Sequence, residues 1–302
     1  MSKSCLNVRS LGKNFGSKNA LTGITMDVKE GEIIGLVGPN GAGKTTLFKL
    51  IMGLLKPDTG SVSLYGKDIK AVGHDEMRRV GYIPDEPFFY DFMTARQTIE
   101  FNGRFYPGWD SQKCDDLLQR FHLPLDEPVK NMSRGMKAQL GLILVLAQKA
   151  DFLVLDEPLE GLDPLRRLEF LNLVLEDFLE SAGRSVLISS HYLEELERVV
   201  DRVALLHEGR LLKVMDIEQL KMEEKTIRVV FQKEPPETLL NMSGIKSVQQ
   251  EGKTSYLLTM EDNFNAIYEA CSRYPHFILE IYHRNLEDVF MDFSGRDNDD
   301  HK

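Results

Sequence analysis

The chain has 302 residues, 42% of them apolar and 28% charged, with a net charge of −10. That composition argues against a disordered chain and fits one large domain plus a smaller one. The acidic balance opposes sequence-independent nucleic-acid binding, which needs clustered Lys and Arg. Cys5, Cys114 and Cys271 are far apart and odd in number, with no metal-ligand spacing, so a reducing compartment is expected.

In chain order, MSKSCLNVRS lacks the apolar core of a secretion signal. GITMDV alternates at Ile24, Met26 and Val28, which predicts a half-buried strand. EIIGLVG is a continuous apolar run, as expected of a buried parallel strand, and TLFKLIMGLL after it reads as a helix. From about Asp85 to Ala150 the pattern is helical, with no convincing strand. Its longest uncharged run, Ala138 to Gln148, is too short to cross a bilayer. DFLVLDE and RSVLISSH are further buried strands, and RVALLHEGRLLKVM predicts a hairpin turning at Glu208–Gly209. Strands alternating with helices give an α/β fold class.

After Lys221 the texture changes. TIRVVF, SYLLTM and FILEIY predict strands, while DNFNAIYEACSRY and NLEDVFMDF predict helices. The expected domains are therefore 1–220, with a helical insertion over about 85–150, and a small α+β domain over 221–293. The polar tail SGRDNDDHK, residues 294–302, is expected to be disordered.

GPNGAGKTT comprises Gly38, Pro39, Asn40, Gly41, Ala42, Gly43, Lys44, Thr45 and Thr46. It fits G-x-x-x-x-G-K-[ST] between a predicted strand and a predicted helix, the context a phosphate loop requires. The glycines allow backbone N–H groups to face phosphate oxygens. Lys44 can bridge β and γ oxygens, and the Thr45 hydroxyl can ligate Mg²⁺. FLVLDE ends a buried strand on Asp156 and Glu157. Asp156 there can hold hydrated Mg²⁺, and Glu157 can polarise an attacking water. NMSRGMKAQL, from Asn131, combines a capping Ser, a Gly and an amphipathic run. It reads as a second helix N-terminus suited to an anion.

With these elements in place, the sequence over about residues 5–216 resembles the nucleotide-binding subunits of ATP-binding-cassette (ABC) transporters. MSRGM, Met132 to Met136, stands where that family has its signature, usually LSGGQ. Ser133 and Gly135 match, whereas Met132, Arg134 and Met136 depart from the commonest form, in the manner of drug- and antibiotic-export cassettes. EGLDP, Glu160 to Pro164, matches the dimer-contact loop that includes Asp163, except that Glu160 replaces a small residue. His191, after an apolar strand, matches the switch histidine.

The resemblance implies a P-loop NTPase fold with a helical subdomain and an accessory C-terminal domain, where LEDVF is the most characteristic stretch. It implies ATP and Mg²⁺ sandwiched between two head-to-tail subunits, with Ser133 and Gly135 serving the nucleotide of the second subunit. Glu157 would be the general base, with His191 as positioning partner that hydrogen-bonds the γ-phosphate and orients the water beside Glu157. Phe15 stands where an aromatic stacks on adenine, with core packing as the alternative. Asp85 replaces the Gln of the Q-loop and reads either as a Mg²⁺ ligand or as a loop acid. Phe88, Phe89 and Tyr90 border the region that receives a membrane-subunit helix, or pack within the helical subdomain. The implied partners are a second ABC subunit and an integral membrane permease at the cytoplasmic face of the membrane, with no nucleic acid. The expected activity is ATP hydrolysis driving export. A non-transport role, ATP-dependent dimerisation for regulation, is the competing reading.

Overall fold

In the computed structural model, residues 3–181, 183–218, 225–283, 285–288 and 290 are described. The chain divides into two compact units, residues 1–215 and 216–302. The expected last helix falls partly, and the expected tail wholly, outside the described residues.

The first unit opens with β1 (Ser4–Phe15), β2 (Lys18–Lys29) and β3 (Ile33–Val37), then α1 (Lys44–Ile51), β4 (Thr59–Leu64) and β5 (Lys67–Asp68). It continues with α2 (His74–Met77), β6 (Val80–Ile83), α3 (Ala95–Gly103), α4 (Ser111–Phe121) and α5 (Arg134–Ala147). The remainder is β7 (Phe152–Leu155), α6 (Pro164–Glu180), β8 (Ser185–Ser189), α7 (Leu193–Leu196), β9 (Arg202–His207) and β10 (Arg210–Asp216). The helix after the phosphate loop is shorter than TLFKLIMGLL suggests. It ends where Gly53 takes a left-handed φ of 69°, a conformation that stops helices.

Two sheets form this unit: a four-stranded one in the order β2-β1-β4-β5 and a six-stranded one in the order β10-β9-β3-β8-β7-β6. Every residue of β3, β7 and β8 is buried, which is why these strands read as unbroken apolar runs. β3 pairs parallel with β8 and β9, β7 with β8, and β6 with β7. Parallel pairing sends the carboxyl ends of β3, β7 and β8 to one sheet edge, where open α/β sheets hold ligands. The segments that leave this edge are Gly38–Gly43, Asp156–Glu157 and Ser190–His191. The β9–β10 turn has Glu208 at φ 44° and Gly209 at φ 74°, the two positive angles of a type I′ hairpin.

Residues 85–150 carry α3, α4 and α5 and no named strand. Residues Leu140 to Ala147 of α5 are all buried, so its apolar run is core. On α6, Asp177 pairs with Arg184, both side chains nearly inaccessible to water, and Lys113 of α4 lies 3.5 Å from the same carboxylate. Asp177→Ala should strand a buried guanidinium and cost about 3–5 kcal/mol. A drop in the urea midpoint with unchanged slope is the expected reading.

The second unit holds β11 (Lys225–Phe231), α8 (Glu237–Leu240), β12 (Ile245–Gln250), β13 (Ser255–Met260), α9 (Phe264–Ser272) and β14 (His276–His283). The sheet order is β12-β13-β11-β14, all neighbours antiparallel. Ile227, Val229, Phe231, Leu258, Ile267 and Cys271 form its core.

Candidate active site

The phosphate loop joins the end of β3 to α1. Gly41 and Gly43 hold φ values of 85° and 110°, which a side chain would strain. A Cβ on Gly38 would lie 2.1 Å from the Leu206 carbonyl oxygen, so the loop can lie against β9 only because this residue has none. Gly43 is the N-cap of α1 and supplies no side-chain cap. The first N–H groups of that helix are thus left for an anion.

Lys44 is buried. Its Nζ donates to the Gly38 carbonyl at 2.6 Å and the Pro39 carbonyl at 3.2 Å, and lies 3.0 Å from Glu157 Oε1. Glu157 sits just past β7 with a φ of 47°. A left-handed angle at a residue with a Cβ costs about 1–3 kcal/mol and persists only where its surroundings enforce it. Here the Glu157 N–H donates to Ser189 Oγ at 2.8 Å, and Glu157 Oε2 lies 2.9 Å from His191 Nδ1. The imidazole packs on Tyr192 at 4.0 Å between ring centroids, and the Arg167 guanidinium covers the other aromatic ring at 3.5 Å.

Asp156 is wholly buried. Its Oδ1 accepts from the Ser189 hydroxyl at 2.9 Å, while Oδ2 has no hydrogen-bond partner of ordinary geometry. Burial pushes its pKa up from 3.8 to about 6, against lowering by the Thr45 and Ser189 hydroxyls. A carboxyl whose folded pKa lies above its unfolded value favours folding below about pH 4, and that contribution is lost as pH rises through about 6. A hard cation offsets that cost. Thr45 and Asp156 are oxygen donors of the kind Mg²⁺ takes, and the unpartnered buried oxygen fits it.

Most of the predicted residues fall into two groups, with Gly38, Pro39, Ala42, Asp156 and His191 lining neither hollow. Phe15, Asn40, Lys44, Thr45, Asp85 and Glu157 line one cleft of about 890 Å³. Phe15 is half exposed at the β1–β2 turn, with Lys13 Nζ 5.6 Å from its ring centre. Ser133, Gly135 and Asp163 line a separate hollow of about 300 Å³. Ser133 caps α5 by accepting from the Met136 N–H at 3.2 Å, and Asp163 caps α6 by accepting from the Arg166 N–H at 3.0 Å.

Two local reasons differ from the sequence reading. A Cβ on Gly135 would meet Leu162 Cδ2 at 2.9 Å and the Gly161 carbonyl at 3.2 Å. The residue is thus small because the chain's own loop packs there, whatever approaches from the other side. Asp85 Oδ1 accepts from Arg134 Nη2 at 2.7 Å, so the structure records a guanidinium as its partner. Burial raises the Asp85 pKa, with Arg134 lowering it. Ser189, which holds both acids, was missed. Its only sequence signal is a polar residue in an apolar run.

Residues 21–160 match the family described as ABC transporter. An uncharacterised ABC transporter ATP-binding protein of Bacillus subtilis, YdbJ, is 31% identical over 96% of both chains. The bacitracin transport ATP-binding protein BcrA of Bacillus licheniformis is 34% identical over 71% of each chain. A solved ATP-binding subunit of an ABC transporter superposes with a TM-score of 0.65 at 29% identity, covering 72% of this chain and 92% of that one. With a phosphate loop at one strand end, an acid pair at another and a histidine at a third, the chain belongs to the ABC transporter ATP-binding proteins.

Proposed function

We propose that the chain hydrolyses ATP between two copies, or two related chains, packed head to tail, and that this drives export through a separate membrane subunit. The observation that carries the reading is the division of the site. Lys44, Thr45 and Glu157 line one cleft, with Asp156 buried next to Glu157 at the end of β7. Ser133 and Gly135 open into another hollow, outside their own chain's cleft. Two chains in antiparallel register would join each cleft to the other's capped helix.

Lys44 and the α1 N–H groups bind the β- and γ-phosphates. Thr45 and Asp156 would hold Mg²⁺, which when bound would offset part of the triphosphate's charge. Glu157 accepts a proton from the attacking water, and His191 orients that carboxylate through the contact at its Oε2. No described helix is long and apolar enough to cross a membrane, so membrane work falls to a partner at the cytoplasmic face. An exposed aromatic cluster suits such a partner. Phe88 is 85% and Phe92 75% exposed, and Tyr90 meets both rings at 6.3 and 5.6 Å. The export direction draws on the likeness to a Nod factor export ATP-binding protein of Burkholderia lata, 32% identical over 98% of both chains.

Ser133→Asp tests the head-to-tail arrangement. Asp caps a helix as well as Ser does, so the fold and the monomer's ATP affinity should hold. A carboxylate facing the second copy's γ-phosphate should lower steady-state turnover at least about 100-fold. Equal loss of ATP binding by the isolated monomer would place Ser133 in its own chain's cleft and refute the reading.

A further inference from the structure

Three positions where the sequence departs from the usual family pattern, 85, 134 and 160, meet in space. Arg134 Nη2 donates to Asp85 Oδ1 at 2.7 Å and Nη1 donates to Glu160 Oε1 at 2.8 Å. The residues are 49 and 26 positions apart, and they belong to three segments: the loop after β6, the first turn of α5, and the loop after β7. The backbone is built around this contact. Gly161, at φ 80°, lies beneath the arginine stem, where a Cβ would sit 3.2–3.3 Å from Arg134 Cβ, Cγ and Cδ.

The surroundings are acidic. Asp85, Glu86, Glu157 and Glu160 border the nucleotide cleft; Lys44 faces Glu157, and Arg134 faces Asp85 and Glu160. Ligand-capable atoms of Glu157, Glu160 and His191 lie within 4.8 Å of one another. Glu160 and Glu157 both act to raise the Asp85 pKa, opposed by Arg134. A triphosphate entering here adds negative charge beside Asp85 and Glu160, whose charges Arg134 offsets. Arg134 is also the residue between Ser133 and Gly135, so whatever fixes its guanidinium fixes the helix end that they form.

We propose that Arg134 is a positioning residue. With Asp85 and Glu160 it forms a three-membered charge bridge that ties the first turn of α5 to the wall of its own chain's nucleotide cleft. Occupancy of one cleft thereby sets the placement of Ser133 and Gly135 against the nucleotide brought by the second copy. The proposal rests on the head-to-tail reading. The three side chains are about 40% exposed, so the bridge adds little to the stability of the free monomer. Its effect grows when a second copy excludes water from it.

The test uses the full chain carrying Glu157→Gln, to hold ATP unhydrolysed. The ATP concentration for half-maximal dimerisation is read by size exclusion with light scattering. Monomer affinity for a fluorescent ATP analogue and the thermal midpoint are measured alongside. Arg134→Gln leaves two acids unpaired and should raise the half-maximal ATP concentration about tenfold, equivalent to about 1.4 kcal/mol of coupling. Monomer affinity should change by less than about threefold and the midpoint should hold. The triple variant Asp85→Asn, Arg134→Gln, Glu160→Gln removes all three charges with little change of shape. It loses the bridge without stranding an acid, so its half-maximal ATP concentration should stay raised, within about threefold of the single variant.

Unchanged dimerisation of Arg134→Gln overturns the proposal, as does a triple variant that returns to the parental value. A tenfold loss in monomer affinity also overturns it, because Arg134 would then contact nucleotide directly. If the Glu157→Gln parent itself fails to dimerise with ATP, the head-to-tail reading falls and takes the proposal with it.

Discussion

Lys44→Ala is expected to lose measurable ATP binding. The ammonium is held by two loop carbonyls and faces Glu157 Oε1, so it stands in the loop before any nucleotide arrives. Removing it deletes a charge-assisted contact to each of two phosphates, and each such contact is stronger than a neutral hydrogen bond. It also leaves the buried Glu157 carboxylate beside buried Asp156 without a cation, which destabilises the empty protein. Lys44→Met separates these effects, because it keeps the side-chain bulk. Both variants should show at least a 100-fold weaker dissociation constant by calorimetry, with Ala showing the lower thermal midpoint. Parental affinity in a folded Lys44→Met variant would mean that this loop does not hold the triphosphate.

Glu157→Gln is expected to separate binding from chemistry. The amide keeps the shape of the carboxylate and a hydrogen bond to His191, but it cannot take a proton. General-base catalysis contributes about 10²–10⁴ in rate, so phosphate release should fall by that factor while ATP affinity is retained. ATP that cannot be cleaved should then accumulate a dimer, visible as a doubled mass by light scattering. Hydrolysis at the parental rate would remove Glu157 from the base role and leave His191 as the group to test next.

The parts legible in the sequence were those whose meaning is local. A phosphate loop needs eight consecutive residues, Gly38 to Thr45 here, and a buried parallel strand announces itself as an apolar run. Strands that are short or wet on both faces gave no such signal. β12, IKSVQQ, is exposed along nearly its whole length, and β4 begins with three exposed residues. The four residues of β6 are too few to show a period. Long-range pairing was hidden for a different reason. Asp85, Arg134 and Glu160 each looked like an isolated departure, and only the fold brings their charges together. Gly135 illustrates a third limit. The sequence signals a missing side chain, but packing decides that Leu162 and Gly161 fill the vacant side. The left-handed backbone at Glu157 was equally invisible, since nothing about a glutamate announces positive φ.

Ser189 carries one more implication. Its oxygen gives a proton to Asp156 and receives one from the Glu157 amide. Linked hydrogen bonds polarise one another in a buried setting. When a cation draws electron density from Asp156, the hydroxyl's bond to it weakens, and the oxygen becomes a poorer acceptor from the neighbouring amide. Metal bound at Asp156 would thereby be felt at the backbone of Glu157 through a single atom, on a strand that has no need to move.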